Sequence, residues 1–254
     1  MYRDIDVYDE FETLYLAAAS LAASGKNFVL DISHLGIISA LLQETGLGKT
    51  FEEAVMHCLA EKNAHEIKAL CEQYGASSYA DSFIALIGAY GEPKSAIEKI
   101  EPLCQSEGAK RALSDLKELC GLLSKTEYAQ CIRLDFSVVG EGNYYDDIVF
   151  KGFIDGIGES VLSGGRYDQL LARMGKKSGA IGFAVYLDLL EELCVNRRTI
   201  DVDVVVLYDD SIALSKVAEM VRDIVAKGES ASAQKTVGEL RYKRIVDLRG
   251  GVQC

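Results

Sequence analysis

The residues of this chain best suited to chemistry form one short run, Gly164, Gly165, Arg166, Tyr167 and Asp168, inside LSGGRYDQLLARMG at 162–175. Glycines let a ligand approach the backbone closely and accept left-handed torsions without strain. A cation, a phenol and a carboxylate follow them directly. Gly179 and Gly182 recur in SGAIGFAVY, and Tyr144 and Tyr145 precede DIVFKGFI at 147–154. As neighbouring antiparallel strands, the three segments would make a floor of bare backbone with aromatic walls, which suits a small polar ligand. Close packing of a helix across the sheet would use the same glycines. Residue types leave both readings open, and equally whether Arg166 and Asp168 report on a pocket or pair with each other and cap the next helix.

Other groups carry less. GLGKT at 46–50 looks like the end of a phosphate loop, but Gln43 stands where the first glycine is required and a helix precedes it, so it reads as a helix stop followed by the next cap. His57, Cys58, His65 and Cys71 match no closed tetrahedral spacing and read as one face of packed helices. His34, between a strand and a helix, reads as a polar cap. The basic run ELRYKRIVDLR at 239–249 reads as a solvated or partner-facing element.

The elements that must hold these residues follow from periodicity. Asp9 and Glu12 resemble a capping box, and Phe11, Leu14, Tyr15, Ala18 and Leu21 predict a helix stopped by Gly25. NFVLDIS at 27–33 predicts a strand, and Leu35 to about Gly46 a helix. A second capping box at Thr50 and Glu53 opens a helical insertion reaching about Ser124, broken at Gly75, Gly91-Glu92-Pro93 and Gly108. CIRLDFSVV at 131–139 alternates strictly, which predicts a half-buried antiparallel strand. DIVFKGFI and SVLSGG then form a hairpin around DGIGE, Asp168 caps a helix stopped by Gly175, and 178–193 runs from strand to helix. DVDVVVLYDD at 201–210 starts a βα unit whose helix ends near Gly228.

Composition bounds the function. The chain has 254 residues, 49% of them hydrophobic, enough to bury a core. Its net charge of −12 repels polyanions, so nucleic acid is not expected as a partner. No apolar run has the length of a membrane span, and MYRDIDVYDEFE is too polar for a secretory signal, so a cytoplasmic location is expected. Seven scattered cysteines without a CxxC pair fit reduced thiols acting as small apolar residues.

Taken in order, YYDDIVFKGFI, LSGGRYDQLL and GAIGFAVYLDLL resemble the histidine-specific motifs of histidyl-tRNA synthetases and of their non-catalytic relatives, the regulatory subunits of ATP phosphoribosyltransferase. In that superfamily the motifs read Arg-Gly-Leu-Asp-Tyr-Tyr, Gly-Gly-Arg-Tyr-Asp and Gly-Phe-Ala-Ile-Gly-Leu-Glu-Arg-Leu. The second is intact here. The likeness, from about residue 5 to 195, implies an α+β fold: a class II synthetase-like antiparallel sheet flanked by helices over 1–48 and 126–197, a helical insertion at 49–125, and a short C-terminal α/β segment at 198–254.

The departures from the motifs separate the two relatives. Gly140 stands where the synthetases carry the arginine that stabilises charge during histidine activation, Leu189 where they carry the arginine that grips ATP, and Tyr186 replaces a glycine. The resemblance therefore implies a non-catalytic subunit with no cofactor or metal. Its histidine pocket would comprise Tyr144, Tyr145, Gly164, Gly165, Arg166, Tyr167 and Gly182. Its expected partners are L-histidine and the short-form catalytic subunit of ATP phosphoribosyltransferase, within a hetero-oligomer containing a homodimer of this chain. The family's first two class II motifs would fall before residue 1, so part of the pocket is expected outside this sequence, and the C-terminus is shorter than a full anticodon-binding domain. A synthetase fragment with relaxed motifs and a scaffold paralogue that binds no amino acid are the rival readings.

Overall fold

The computed structural model describes residues 2–3, 5–140, 145–191 and 200–249. The chain divides into two units, Met1–Leu193 and Cys194–Cys254.

In the larger unit the capping box of the first helix forms one turn earlier than the sequence suggests. Asp6 is the N-cap of α1 (Val7–Ala22), its side chain accepts from the Asp9 amide, and Asp9 returns a bond to the Asp6 amide. Gly25 turns with φ +68°. β2 (Phe28–His34) runs directly into α2 (Leu35–Glu44). His34 caps α2: its Nδ1 accepts from the Gly36 amide at 3.2 Å. Burial lowers the imidazole's pKa, so the ring stays neutral and keeps the lone pair that this bond needs.

The insertion is helical, as its periodicity predicts, but two of its signals are placed differently. α3 (Lys49–Ala60) is capped by Gly48 without a side-chain bond, and Thr50 lies inside the helix, so the Thr50–Glu53 box is not formed. α4 (Ala64–Gln73), α5 (Ala80–Gly88), α6 (Pro93–Ile100) and α7 (Glu107–Leu123) follow. Gly75 and Gly91 take positive φ between helices. Gly108 is not a break: Ser106 caps α7 and Gly108 sits in its first turn.

Among the described residues a six-stranded sheet is ordered β1-β6-β5-β4-β2-β3, built from β1 (Tyr2–Arg3), β2, β3 (Ile132–Leu134), β4 (Ile148–Ile154), β5 (Leu162–Arg166) and β6 (Gly179–Val185). Its pairings are antiparallel except β2 with β3, which is parallel. This corrects the antiparallel strand expected over 131–139. Alternation reports which side chains face inward, here Ile132 and Leu134, but not strand direction. The strand also stops early, because the Asp135 carboxylate accepts from the Ser137 amide and turns the chain.

α1 crosses one sheet face, with Leu21 against Gly152, and α7 packs on α1 and α2. That face carries Leu30, Ile32 and Phe150 of the core. On the other face Asp31 is 8% exposed and Ser33 fully buried, and Asp31 Oδ1 and Ser33 Oγ lack hydrogen-bond partners among the described residues.

Among the described residues the smaller unit holds a three-stranded parallel sheet, β8-β7-β9, formed by β7 (Val202–Leu207), β8 (Ala231–Gln234) and β9 (Tyr242–Asp247). α10 (Leu214–Ala226) packs Ile224 and Met220 against Val204 and Val206. Val237 and Leu240, in the short β8–β9 connection, cover Val205 and Leu207 on the opposite face.

Burial, and then the nearby Asp135, push the Asp31 carboxyl up from 3.8 to about 6, only partly offset by Lys62 and Arg133. The folded chain therefore holds this proton to higher pH than the unfolded chain does. The resulting stability is present below about pH 4 and is lost as the pH rises through 6. Asp31→Asn is expected to raise unfolding free energy more at pH 7.5 than at pH 4, by on the order of 2–3 kcal/mol in urea melts. An equal effect at both pH values would contradict the assignment.

Candidate functional site

The sheet brings most of the predicted site residues together. Gly165 of β5 lies directly opposite Gly182 of β6, and Gly164 opposite Phe183. Alternation sends Gly165 and Gly182 to one face and Gly164 to the other. The three glycines consequently do different jobs. A Cβ at Gly164 would come within 2.6 Å of Phe150 and Phe183 and 2.5 Å of the Gly182 carbonyl, so this glycine serves core packing. A Cβ at Gly165 would meet the Tyr145 ring at 2.5 Å and the Ile148 carbonyl at 2.7 Å, so this glycine lets an aromatic ring lie on bare strand. At Gly182 the nearest atom would be the Tyr167 hydroxyl, 3.7 Å away. Of the three, only Gly182 has room for a methyl among the described residues. Tyr145 and Tyr167 stand beside it as aromatic neighbours, while Tyr144 lies outside the described residues.

Arg166 points to the opposite face, behind this floor. Its Nε and Nη2 donate to Asp168 Oδ2 at 2.8 and 2.7 Å, and its Nη1 lies 3.0 Å from Glu10 Oε1 on α1 and 3.7 Å from Asp147 Oδ2. Burial alone would lower its pKa, but the hydrogen bonds to Asp168 and Glu10 outweigh that and hold the guanidinium protonated. Arg166 and Asp168 thus pair with each other, yet Asp168 does not cap its own helix. Its Oδ1 accepts from the Ala180 amide of β6 at 2.9 Å. The capping role falls to Asp146, which accepts from the Gln169 amide at the start of α8 (Asp168–Arg173). Gly175 then ends the turn with φ +74°.

Glu10, Asp146 and Asp147 were not singled out from the sequence. Glu10 left a trace: it falls one turn before Leu14 and two before Ala17 on the buried stripe of α1, and an acidic group there needs a partner. Asp146 and Asp147 left none, since their partners are 19 or more positions away.

The departures from the motifs also have structural causes. Gly140 has φ +72°, and a Cβ there would lie 2.7 Å from the Tyr145 ring, so a side chain at the position would be strained and would displace that ring. Leu189, on α9 (Leu187–Leu190), packs against the hydrophobic core. The Tyr186 hydroxyl lies 2.6 Å from Ser163 Oγ, two residues before Gly165 on the same face of β5.

A cavity of about 490 Å³ opens between α2, α3, α8 and the residues Val139, Gly140, Tyr145 and Asp146. Of the predicted site residues, Tyr145 lines it, together with Lys49, His57, Gln169 and Arg173. His57, Cys58, His65 and Cys71 do not form the one packed face expected, since Cys58 and Cys71 are in the core whereas His57 and His65 are exposed. Among the described residues no group of three or more acidic, histidine or cysteine side chains is placed to hold a metal. Burial pushes the Cys104 and Cys120 thiols up to about 11 and 12, which suits them to packing rather than to nucleophilic chemistry. In the smaller unit the basic run is neutralised within the chain: Arg241 pairs with Asp201, Lys243 with Asp203, Arg244 with Glu229 and Arg249 with Asp247. Among the described residues no helix is long and apolar enough to cross a membrane.

A mainly antiparallel sheet with glycines paired across β5 and β6, and with helices across its far face, defines a class II synthetase-like domain. The histidyl-tRNA synthetase family profile matches residues 2–190, and the chain belongs to that family. It is 27% identical over 228 residues to an ATP phosphoribosyltransferase regulatory subunit of Clostridium acetobutylicum, covering 87% of this chain and 56% of that one. It is 26% identical over 260 residues to the same subunit of a Geobacillus species, covering 98% and 66%. A crystal structure of an ATP phosphoribosyltransferase regulatory subunit/histidyl-tRNA synthetase from Bacillus halodurans superposes with a TM-score of 0.79 at 25% identity, covering 99% of this chain and 67% of that one. The chain spans about half the length of most of the curated relatives it matches.

The three glycines give a discriminating prediction. Gly164→Ala and Gly165→Ala are expected to lower unfolding free energy by about 2 kcal/mol or more, because strand backbone is among the atoms a new methyl would strike. Gly182→Ala is expected to stay within about 1 kcal/mol of the parent. Equal losses in all three variants, measured by chemical denaturation, would refute the division of roles.

Proposed function

We propose that this chain carries the amino-acid-binding part of a non-catalytic regulatory subunit of ATP phosphoribosyltransferase. In this reading it supports a short-form catalytic subunit in the cytoplasm and senses L-histidine for feedback inhibition of histidine biosynthesis. One observation carries the reading: the glycine and tyrosine floor is built, while the position of the synthetases' activating arginine is a left-handed glycine closed off by Tyr145. A pocket that keeps its walls and lacks its catalytic cation binds without activating. Leu189 in the core and Tyr186 on the face of β5 support the same conclusion for the nucleotide side. The names of the curated relatives support the partner.

The proposed pocket consists of Tyr145, Tyr167 and Gly182, and the motif adds Tyr144, which lies outside the described residues. Gly164, Gly165 and Arg166 contribute as its frame. Histidine shifts the catalytic subunit only to the extent that it binds the inhibited arrangement more tightly, with coupling of roughly 1 to 3 kcal/mol typical of such systems.

Calorimetric titration with L-histidine, using L-glutamine as the control, tests this reading. Saturable binding of histidine alone is expected. Gly182→Val, which sets a branched side chain beside the Tyr167 hydroxyl, is expected to abolish binding while leaving the circular dichroism spectrum unchanged. Histidine-dependent pyrophosphate exchange is expected to be absent, and its detection would favour a synthetase fragment instead.

A further inference from the structure

Behind the floor, a chain of charged contacts joins parts of the fold that are far apart in sequence. Glu10 of α1 is 4% exposed, and its Oε1 meets Arg166 Nη1 at 3.0 Å. The same guanidinium grips Asp168 Oδ2, and Asp168 Oδ1 accepts from the Ala180 amide. Arg166 directly follows Gly165 in β5, and Ala180 lies two residues before Gly182 in β6. The series Glu10, Arg166, Asp168, Ala180 therefore clamps together the ends of the two strands whose glycines form the floor.

We propose that Glu10 is a positioning residue: it holds Arg166 in the clamp and so sets the spacing of β5 and β6 beneath the bound amino acid. The part concerning a bound amino acid rests on the histidine-sensing reading, whereas the clamp itself does not. The charges facing Glu10 are Arg166, Asp147 and Asp115 of α7, with neutral His34 nearby. Burial raises the Glu10 carboxyl to about 7, because desolvation outweighs the single cation, and Asp147 and Asp115 add to the rise. The clamp is thus complete above neutrality and loses one charged contact below it. Ligand binding that requires the charged form weakens in proportion to its population, which is about one part in eleven one pH unit below the midpoint.

The experiment compares the full chain with Glu10→Gln and Glu10→Asp, all checked for folding by circular dichroism. L-histidine affinity is measured by calorimetry at pH 6 and pH 8, and hydrogen exchange of the Ala180 amide by nuclear magnetic resonance at the same pH values. Histidine's own ionisation is common to all three proteins, so the ratio of parent to variant isolates Glu10. At pH 8 the parent is expected to bind roughly tenfold more tightly than Glu10→Gln, with the ratio falling towards one at pH 6, and Glu10→Asp is expected to restore the pH dependence. The Ala180 amide should exchange several-fold faster in Glu10→Gln at pH 8 but not at pH 6. A ratio that does not change with pH, in both affinity and exchange, overturns the proposal. Absence of histidine binding in every protein overturns the sensing reading, and the Ala180 exchange then decides the clamp alone.

Discussion

The guanidinium of Arg166 is the contact on which the larger unit is organised. It is largely buried and fully charged, so the fold must surround it with acids, and those acids come from α1, from the segment before β4 and from the start of α8. A buried cation with a missing partner is strongly destabilising. That constraint fixes where α1 lies across the sheet and how α8 leaves β5. Through Asp168 and the Ala180 amide it also fixes how β6 returns beside β5.

The face with the open floor depends on this arrangement without touching it. Gly164, Gly165 and Gly182 are neighbours in the same two strands, yet only the outward-facing Gly182 leaves room above it. Tyr145 contributes twice: its ring covers Gly165, and it closes the space at Gly140 that a longer side chain would need. At the position of the family's nucleotide-gripping arginine, Leu189 packs against the core.

Charge shows the same economy in the smaller unit. A run that reads as a basic patch in sequence has each of Arg241, Lys243, Arg244 and Arg249 beside a carboxylate. Exposed pairs of this kind contribute little stability, but they cancel the local field that a polyanion would need. The parallel strands are held instead by Val204 and Val206 against α10 and by Val237 and Leu240 over Val205.

By itself the sequence determined the secondary structure of most segments, because periodicity, caps and left-handed glycines act over a few residues. β2, β4, β5 and β6, the helical insertion and the stops at Gly25, Gly75 and Gly175 are all legible in that way. It also determined the family, through motifs that survive as short words. Only the tertiary structure decided the direction of β3, since alternation is the same for parallel and antiparallel partners. It alone separated the packing glycines from the open one, since that depends on which face each occupies and what lies within a few ångströms. It alone found Glu10 for Arg166, 156 positions away, because a buried charge chooses its partner by proximity in space and leaves no spacing rule in the chain.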